Sequence, residues 1–255
     1  MEPVSSRANP RVKAAAALHR RKGRVASGRH LAEGPNVVAE ALRAGVVETV
    51  FGLPEALATL VTPDEVDRVA VTEPVLDRLA DTPSPQGLVA VVRTMTVAPA
   101  DLPVDALWVV LHAVADPGNV GTILRTADAA GAGGVWCTPT TADPFSPKAV
   151  RAAAGSTYHL PVVVGADLEE LVAHAHGYGR RVLGLDAHAD ASVLDLGDDG
   201  PVALVLGNEA RGLDAADRRA LDGTVAVPMR GRAESLNVAA AAAIAIYAAA
   251  GGLRR

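Results

Sequence analysis

Leu204-Val205-Leu206-Gly207-Asn208-Glu209-Ala210-Arg211-Gly212-Leu213 is the stretch on which the reading of this chain turns. Val202 to Leu206 is apolar without interruption, the pattern of a strand buried on both faces of a parallel sheet. It runs straight into Gly-Asn-Glu, where Gly207 lets another group approach the backbone. Leu213 to Leu221 reads as the helix that follows. On each side the alternation repeats. Upstream come strands at Leu107–His112, Gly134–Thr138, Leu160–Val164 and Arg181–Asp186, with helices at Val120–Ala130, Ser146–Ala154 and Asp167–His176 between them. Downstream come a strand at Thr224–Val227 and a long closing helix, Leu236–Ala250. Strands alternating with helices imply a mostly parallel sheet covered on both faces, an α/β fold. Residues 1–93 form a smaller α/β unit with strands at Val46–Phe51, Val69–Val71 and Leu88–Val92. Thr94 to Asp105, rich in Pro, Ala and Asp, reads as a linker. The expected division is 1–93, a linker over 94–106, and a second domain over 107–255.

In such sheets ligands bind in the loops after the strands' carboxyl ends. Three of those loops carry unusual residues. Asp116-Pro117-Gly118-Asn119 is a turn in which Asn119 is a plausible N-cap, with Arg125 in the second helical turn. Arg125 either pairs with Asp128 on the helix surface or points into a site, where a fixed cation could hold a phosphate or an oxyanion. The second loop is Gly207-Asn208-Glu209, in which Glu209 could simply favour a helix N-terminus. The third runs from Val227-Pro228-Met229 through Gly231 to Ser235-Leu236-Asn237, where Ser235 can cap the closing helix. Each loop alone has an ordinary structural explanation. Together, in order and each at a strand-to-helix junction, they form a pattern.

That combination resembles the SpoU (TrmH-like) branch of the SPOUT RNA 2′-O-ribose methyltransferases, over about residues 105–250. Asn119-x5-Arg125, Leu206-Gly207-Asn208-Glu209-x2-Gly212-Leu213 and Val227-Pro228-Met229 with Ser235-Leu236-Asn237 carry the likeness. Glu33-Gly34-Pro35-Asn36 and Ser84-Pro85-Gln86-Gly87 resemble the N-terminal substrate-binding domain of the same family. Ala153 and Ala239 stand where the family commonly has serine, and Val227 where it has Ile. The resemblance implies a C-terminal trefoil knot, and S-adenosyl-L-methionine bound at Leu206, Gly207, Val227, Met229 and Leu236. It implies a homodimer with active sites beside the interface. Arg125 then serves the chemistry, with Asn119, Glu209, Ser235 and Asn237 orienting it and the ribose. Because a guanidinium is not deprotonated in ordinary proteins, stabilising a forming alkoxide suits Arg125 better than acting as a base.

Charge distribution points toward RNA as well. The chain of 255 residues has a net charge of −5, which taken whole does not mark a polyanion binder. Residues 1–30, however, hold eight Lys or Arg (Arg7, Arg11, Lys13, Arg20, Arg21, Lys22, Arg24, Arg29) against Glu2, a net of +7, so the rest carries −12. A basic arm of this kind meets phosphates, or it is a solvated leader. Lys148, Arg151, Arg230 and Arg232 are further candidate phosphate contacts. Ribosomal RNA, 23S most of all, is expected over transfer RNA, because members of the resembled family with an added N-terminal domain tend to act on rRNA. A tRNA 2′-O-methyltransferase and a catalytically inactive RNA-binding protein are the alternatives. A Rossmann oxidoreductase is disfavoured: its Gly loop follows a strand, whereas Gly131-Ala132-Gly133-Gly134 precedes one.

One cysteine, Cys137, excludes an internal disulfide and reads as an apolar filler at a strand end. The histidines show no metal-ligand spacing. No secretory leader and no membrane-spanning run is expected, since Val238–Ala250 is too short. These features fit a cytoplasmic protein without a metal.

Overall fold

The structure, a computed structural model, describes residues 2–196 and 200–251. The chain divides into two compact units. The first runs to Met95 and also takes in Asp143–His159. The second holds Thr96–Ala142 and the chain from Leu160 onward.

The first unit is built on a four-stranded sheet of β1 (Arg29–Glu33), β2 (Val47–Gly52), β3 (Asp67–Ala70) and β4 (Leu88–Arg93), in the order β1-β4-β2-β3. β4 runs antiparallel to β1 and β2, while β2 and β3 are parallel. Alternate residues of β4 face opposite cores. Leu88, Ala90 and Val92 join a cluster with Val37, Val38 and Ala41 of α3 (Pro35–Arg43). Val89 and Val91 join one with Val75, Leu76 and Leu79 of α5 (Glu73–Leu79). The remaining helix of this stretch, α4 (Pro54–Thr59), connects β2 to β3.

The basic N-terminal segment is folded. It forms α1 (Pro10–Ala16), a 3-10 turn at Ala17–His19 and α2 (Arg21–Ser27). Val12, Ala15 and Leu18 are buried against Phe51 and the α5 side of the sheet. α1 and α2 are two helices rather than one. The break falls at Arg20, whose backbone turns extended (φ −97°, ψ 137°).

The second unit carries a six-stranded sheet in the order β10-β8-β9-β5-β6-β7, every pair parallel. Its strands are β5 (Trp108–Leu111), β6 (Gly134–Cys137), β7 (Val162–Val164), β8 (Arg181–Leu185), β9 (Val202–Leu206) and β10 (Gly223–Val225). α6 (Pro117–Ala129), α8 (Leu168–Gly177), α9 (Ala215–Ala220) and α10 (Val238–Ala249) cover it. β5 and β9 lie at the centre, and every residue of both is buried, as their unbroken apolar runs require. Cys137 is buried as the last residue of β6.

Two expectations about organisation change. Segment 143–159, read as part of the second domain, belongs to the first unit. Its helix α7 (Pro147–Ala153) buries Val150 in the α3-side core, and Arg151 bridges Asp81 at 2.8 Å. The expected linker, though largely exposed, is anchored at several points. Leu102 is buried, and the carbonyls of Val104 and Ala106 each accept a hydrogen bond of 2.7 Å from Arg180, whose guanidinium lies 3.9 Å over the Trp108 ring. Burial lowers the Arg180 pKa to about 10, the nearby Asp105 opposing the shift. Among the described residues no helix is long and apolar enough to cross a membrane. No group of three or more His, Cys, Asp or Glu side chains could hold a metal ion there.

Candidate active site

The three unusual loops meet at the carboxyl end of the six-stranded sheet, as the loop rule requires. Their junction is a chain of hydrogen bonds. The Glu209 carboxylate accepts from the backbone N–H of Ala115 (2.9 Å), from that of Asp116 (2.9 Å) and from Asn119 Nδ2 (3.0 Å). Asn237 Nδ2 donates to Asn119 Oδ1 at 3.4 Å. Asn237 Oδ1 accepts from the first free N–H groups of α10, those of Ala239 and Ala240. One carboxylate and two amides thus tie the starts of α6 and α10 to the loop after β9. Partial burial works against ionising Glu209 more than any other single influence. The hydrogen bonds from Ala115, Asn119 and Asp116 together outweigh it and hold the carboxyl below its usual pKa.

The caps differ from expectation in an instructive way. Asp116, not Asn119, caps α6: its side chain accepts from Gly118 N–H and Asn119 N–H, with Pro117 as the first helical residue. Asn119 sits inside the first turn, which releases its amide for Glu209. In the same manner Asn237, not Ser235, caps α10. A Pro one place after an Asp is itself an N-terminus signal, so the first displacement was readable.

Asn208 closes the second loop. Its backbone exchanges hydrogen bonds with Gly212 (3.1 and 2.8 Å), and its side-chain oxygen accepts from Ala210 and Arg211 N–H. Its Nδ2 donates 2.9 Å to the carbonyl of Ala113, a residue held left-handed at φ 58°. Gly207 lies under this loop. A Cβ there would stand 2.6–2.8 Å from the backbone of Gly212 and Leu213, so only glycine fits.

Beside the junction is a cavity of about 350 Å³. Leu206, Gly207, Val227, Met229 and Leu236 all line it, as do Glu209 and Ser235. Met229 and Leu236 are 36% and 38% exposed, large apolar side chains left open to solvent at this pocket. Asn119 and Asn237 adjoin the cavity through Glu209 without lining it. Asp186, His188 and Arg218 also contribute to the wall and were not singled out from sequence, although the loop after β8 obeys the same rule as its neighbours. Asp186 accepts from His188 N–H and pairs with Arg218 at 2.9 Å. The backbone bond foremost, with the Arg218 pairing, lowers its pKa against the opposing effect of burial.

Arg125 is exposed and lies outside this cavity, with no hydrogen bond or ion pair among the described residues. Six residues on an α-helix advance about 9 Å and turn about 240°, so Arg125 and Asn119 face different sides of α6. The alternative surface pair with Asp128 is not formed.

The candidate phosphate contacts separate into two groups. Arg24 is withdrawn by its burial: it is 6% exposed, with two donors on Asp143 (2.9 and 2.6 Å) and another on the carbonyls of Leu18 and His19. Arg11 pairs with Asp67, Arg29 with Glu48 at 2.5 Å, and Arg151 with Asp81. Lys13, Arg20, Arg21 and Lys22 are exposed. Lys148 and Arg151 stand on α7 of the first unit, while Arg230 and Arg232 are exposed in the loop before α10.

Comparison with known proteins accords with this architecture. The model of the SpoU rRNA Methylase family matches residues 106–247, and that of an MRM3-like substrate binding domain matches residues 9–90. The 23S rRNA (guanosine(2553)-2′-O)-methyltransferase RlmP of Bacillus subtilis is 36% identical over 249 residues, covering 97% of this chain and 98% of that protein. The crystal structure of the SpoU methyltransferase AviRb from Streptomyces viridochromogenes, in complex with the cofactor AdoMet, superposes with a TM-score of 0.85 at 32% identity. It covers 96% of this chain and 98% of that one. An AdoMet-bound rRNA methyltransferase from Sinorhizobium meliloti gives a TM-score of 0.86 at 32% identity, over 100% and 99% of the two chains. With the family model matching more than half of the chain, matching folds and near-complete coverage, the chain belongs to the SpoU rRNA methylase family.

Proposed function

We propose that this protein methylates a ribose 2′-hydroxyl in 23S ribosomal RNA, using S-adenosylmethionine. One observation carries the reading: the five residues expected to bind the cofactor line a single cavity whose edge is the Glu209–Asn119–Asn237 chain. The residues present suit that ligand. Leu206, Val227, Met229 and Leu236 offer apolar surface to an adenine ring, and the tight Gly207 loop brings backbone polar groups to the wall. About 350 Å³ falls in the range of small-ligand pockets.

Bound there, S-adenosylmethionine supplies a methyl group carried on a positively charged sulfur. The chain's own part is to position the acceptor and to ease the loss of its proton. Ser235, at the cavity wall, and Asn119 and Asn237 beside it hold the ribose. Glu209, whose oxygens are engaged by three donors, acts through Asn119 as a positioning residue. Arg125 provides a fixed positive charge beside the oxygen as it becomes an alkoxide, the hydroxyl proton passing to water.

Because Arg125 does not line the cavity of its own chain, the working unit in this reading is a homodimer in which Arg125 of one copy faces the cavity of the other. The Ala-rich α10 suits close helix packing at such an interface. The loops after β9 and β10 form the crossings of the trefoil knot expected from the family, and rRNA as substrate sets the work in the cytoplasm. The test is methyl transfer from labelled S-adenosylmethionine to 23S rRNA and to bulk tRNA, followed by mapping of ribose methylation. Transfer confined to tRNA, or to bases, would overturn the assignment.

A further inference from the structure

The cations of residues 1–30 differ in what they are free to do. Arg7 donates to the Pro74 carbonyl at 2.9 Å, and Arg11, Arg24 and Arg29 each hold a carboxylate. Lys13, Arg20 and Lys22 have no such partner among the described residues, and they line one groove of about 510 Å³. A fourth cation, Arg78, reaches the same groove from α5, more than fifty residues away in sequence. The other lining residues are Ala16, Ala17, Gly23 and Ala26, and no acidic side chain is among them. Four exposed cations with no acid between them repel one another, and nothing in the groove offsets that cost.

The groove is also built tightly. Gly23 lets α2 fold back onto the turn before it, since a Cβ there would collide with the carbonyl of Ala17. The break at Arg20 is what sets Arg20 and Lys22 on the same wall as Lys13.

We propose that this groove is a phosphate-binding track for the RNA substrate, one that grips the sugar–phosphate backbone without reading bases. It rests on the RNA reading above and extends it to four named cations, Lys13, Arg20, Lys22 and Arg78. Its small alanine and glycine lining leaves room for a strand and offers no aromatic face on which a base could stack. Binding there is electrostatic, independent of sequence and strongly dependent on salt.

The test uses the full chain and 23S rRNA. RNA affinity is measured between 50 and 200 mM salt for wild type and for K13Q/R20Q/K22Q/R78Q. At about 0.7 ions released per single-strand phosphate contact, the variant's log–log slope should be shallower by about 3. Wild-type affinity should then fall about fiftyfold more than the variant's over that salt range. Methylation should show a raised KM for RNA with kcat and S-adenosylmethionine affinity retained. The charge-keeping exchange K13R/R20K/K22R/R78K should restore the wild-type slope, which a folding defect would not permit. An unchanged slope in the glutamine variant overturns the groove while leaving the methyltransferase reading intact. Normal binding to naked rRNA with loss of binding only to ribosomal particles would overturn it in favour of a protein partner. Failure of the wild type to methylate any rRNA would instead refute the reading on which the groove rests.

Discussion

Replacing Glu209 by Gln separates a brace from a chemical participant. The substitution keeps shape but turns one acceptor oxygen into an NH2 group, and that group must face either Ala115 N–H or the Asp116 N–H and Asn119 Nδ2 pair. At least one hydrogen bond is lost, a donor is turned on a donor, and the survivors lose their charge assistance. Hydrogen bonds to charged groups are worth about 1.5–3 kcal/mol each. Glu209 lies at the rim of the site, where water replaces part of that, so a net loss of about 2 kcal/mol is expected. For a chain of this size that is a fall in Tm of about 4–8 °C. E209A should lose more, because all three donors go unmet. Differential scanning calorimetry with and without S-adenosylmethionine, run beside a methyl-transfer assay, gives both numbers. The sign with pH is also set. A carboxyl with a depressed pKa contributes stability above the ordinary value of about 4.3 and loses it as pH falls through the lower folded-state value. The gap between wild type and E209Q should therefore close below about pH 4. If E209Q melted with the wild type while methyl transfer vanished, Glu209 would have to act in the chemistry itself.

Arg125→Ala should abolish transfer and leave S-adenosylmethionine affinity unchanged by calorimetric titration; near-normal turnover would remove Arg125 from the mechanism. Mixing that variant with L236K, which puts a cation in the cavity, should recover about a quarter of wild-type activity. Random pairing makes half the dimers mixed, each with one intact site. Recovery near zero would mean Arg125 serves its own chain. Gly207→Ala should weaken S-adenosylmethionine binding, because its Cβ meets fixed backbone on the Gly212 side; unchanged affinity would show that the loop yields. His30 is buried between Thr94 Oγ1 (3.0 Å) and Tyr158 O–H (3.2 Å), and burial, opposed by Asp143 and reinforced by Arg24, pushes its pKa to about 4. The unfolded chain protonates first, so stability should drop as pH falls from about 6.5, by about 3 kcal/mol at pH 4. H30Q should flatten that fall in acid-unfolding curves, and an identical slope would mean other groups cause it.

The second sheet was legible because its central strands β5 and β9 are apolar throughout, and β9 was located to the residue. Helix starts were the weaker part: α9 begins at Ala215 rather than Leu213, because Asp214 caps it by accepting from Ala216 and Asp217 N–H. The cavity wall could be assembled from strand-end loops. The bond from Asn237 to Asn119 could not, since it depends on how segments more than a hundred residues apart come together. Nor could sequence reveal which basic residues are neutralised. Arg24 and Lys22 look alike until folding brings Asp143 against one of them.

The division of the first unit has a bearing on how the protein is made. Val150 and Tyr158 complete a core begun by residues 32–92, and Arg151 pairs with Asp81, so that unit cannot finish until about residue 159 has left the ribosome. By then β5, α6 and β6 have already emerged, with their central partner β9 still unsynthesised. Domains commonly mature in order of synthesis. Here the nascent chain must instead carry an exposed half-sheet while the earlier unit closes around a later segment. Chain release at 95 should yield a soluble fragment only if 143–159 is supplied separately.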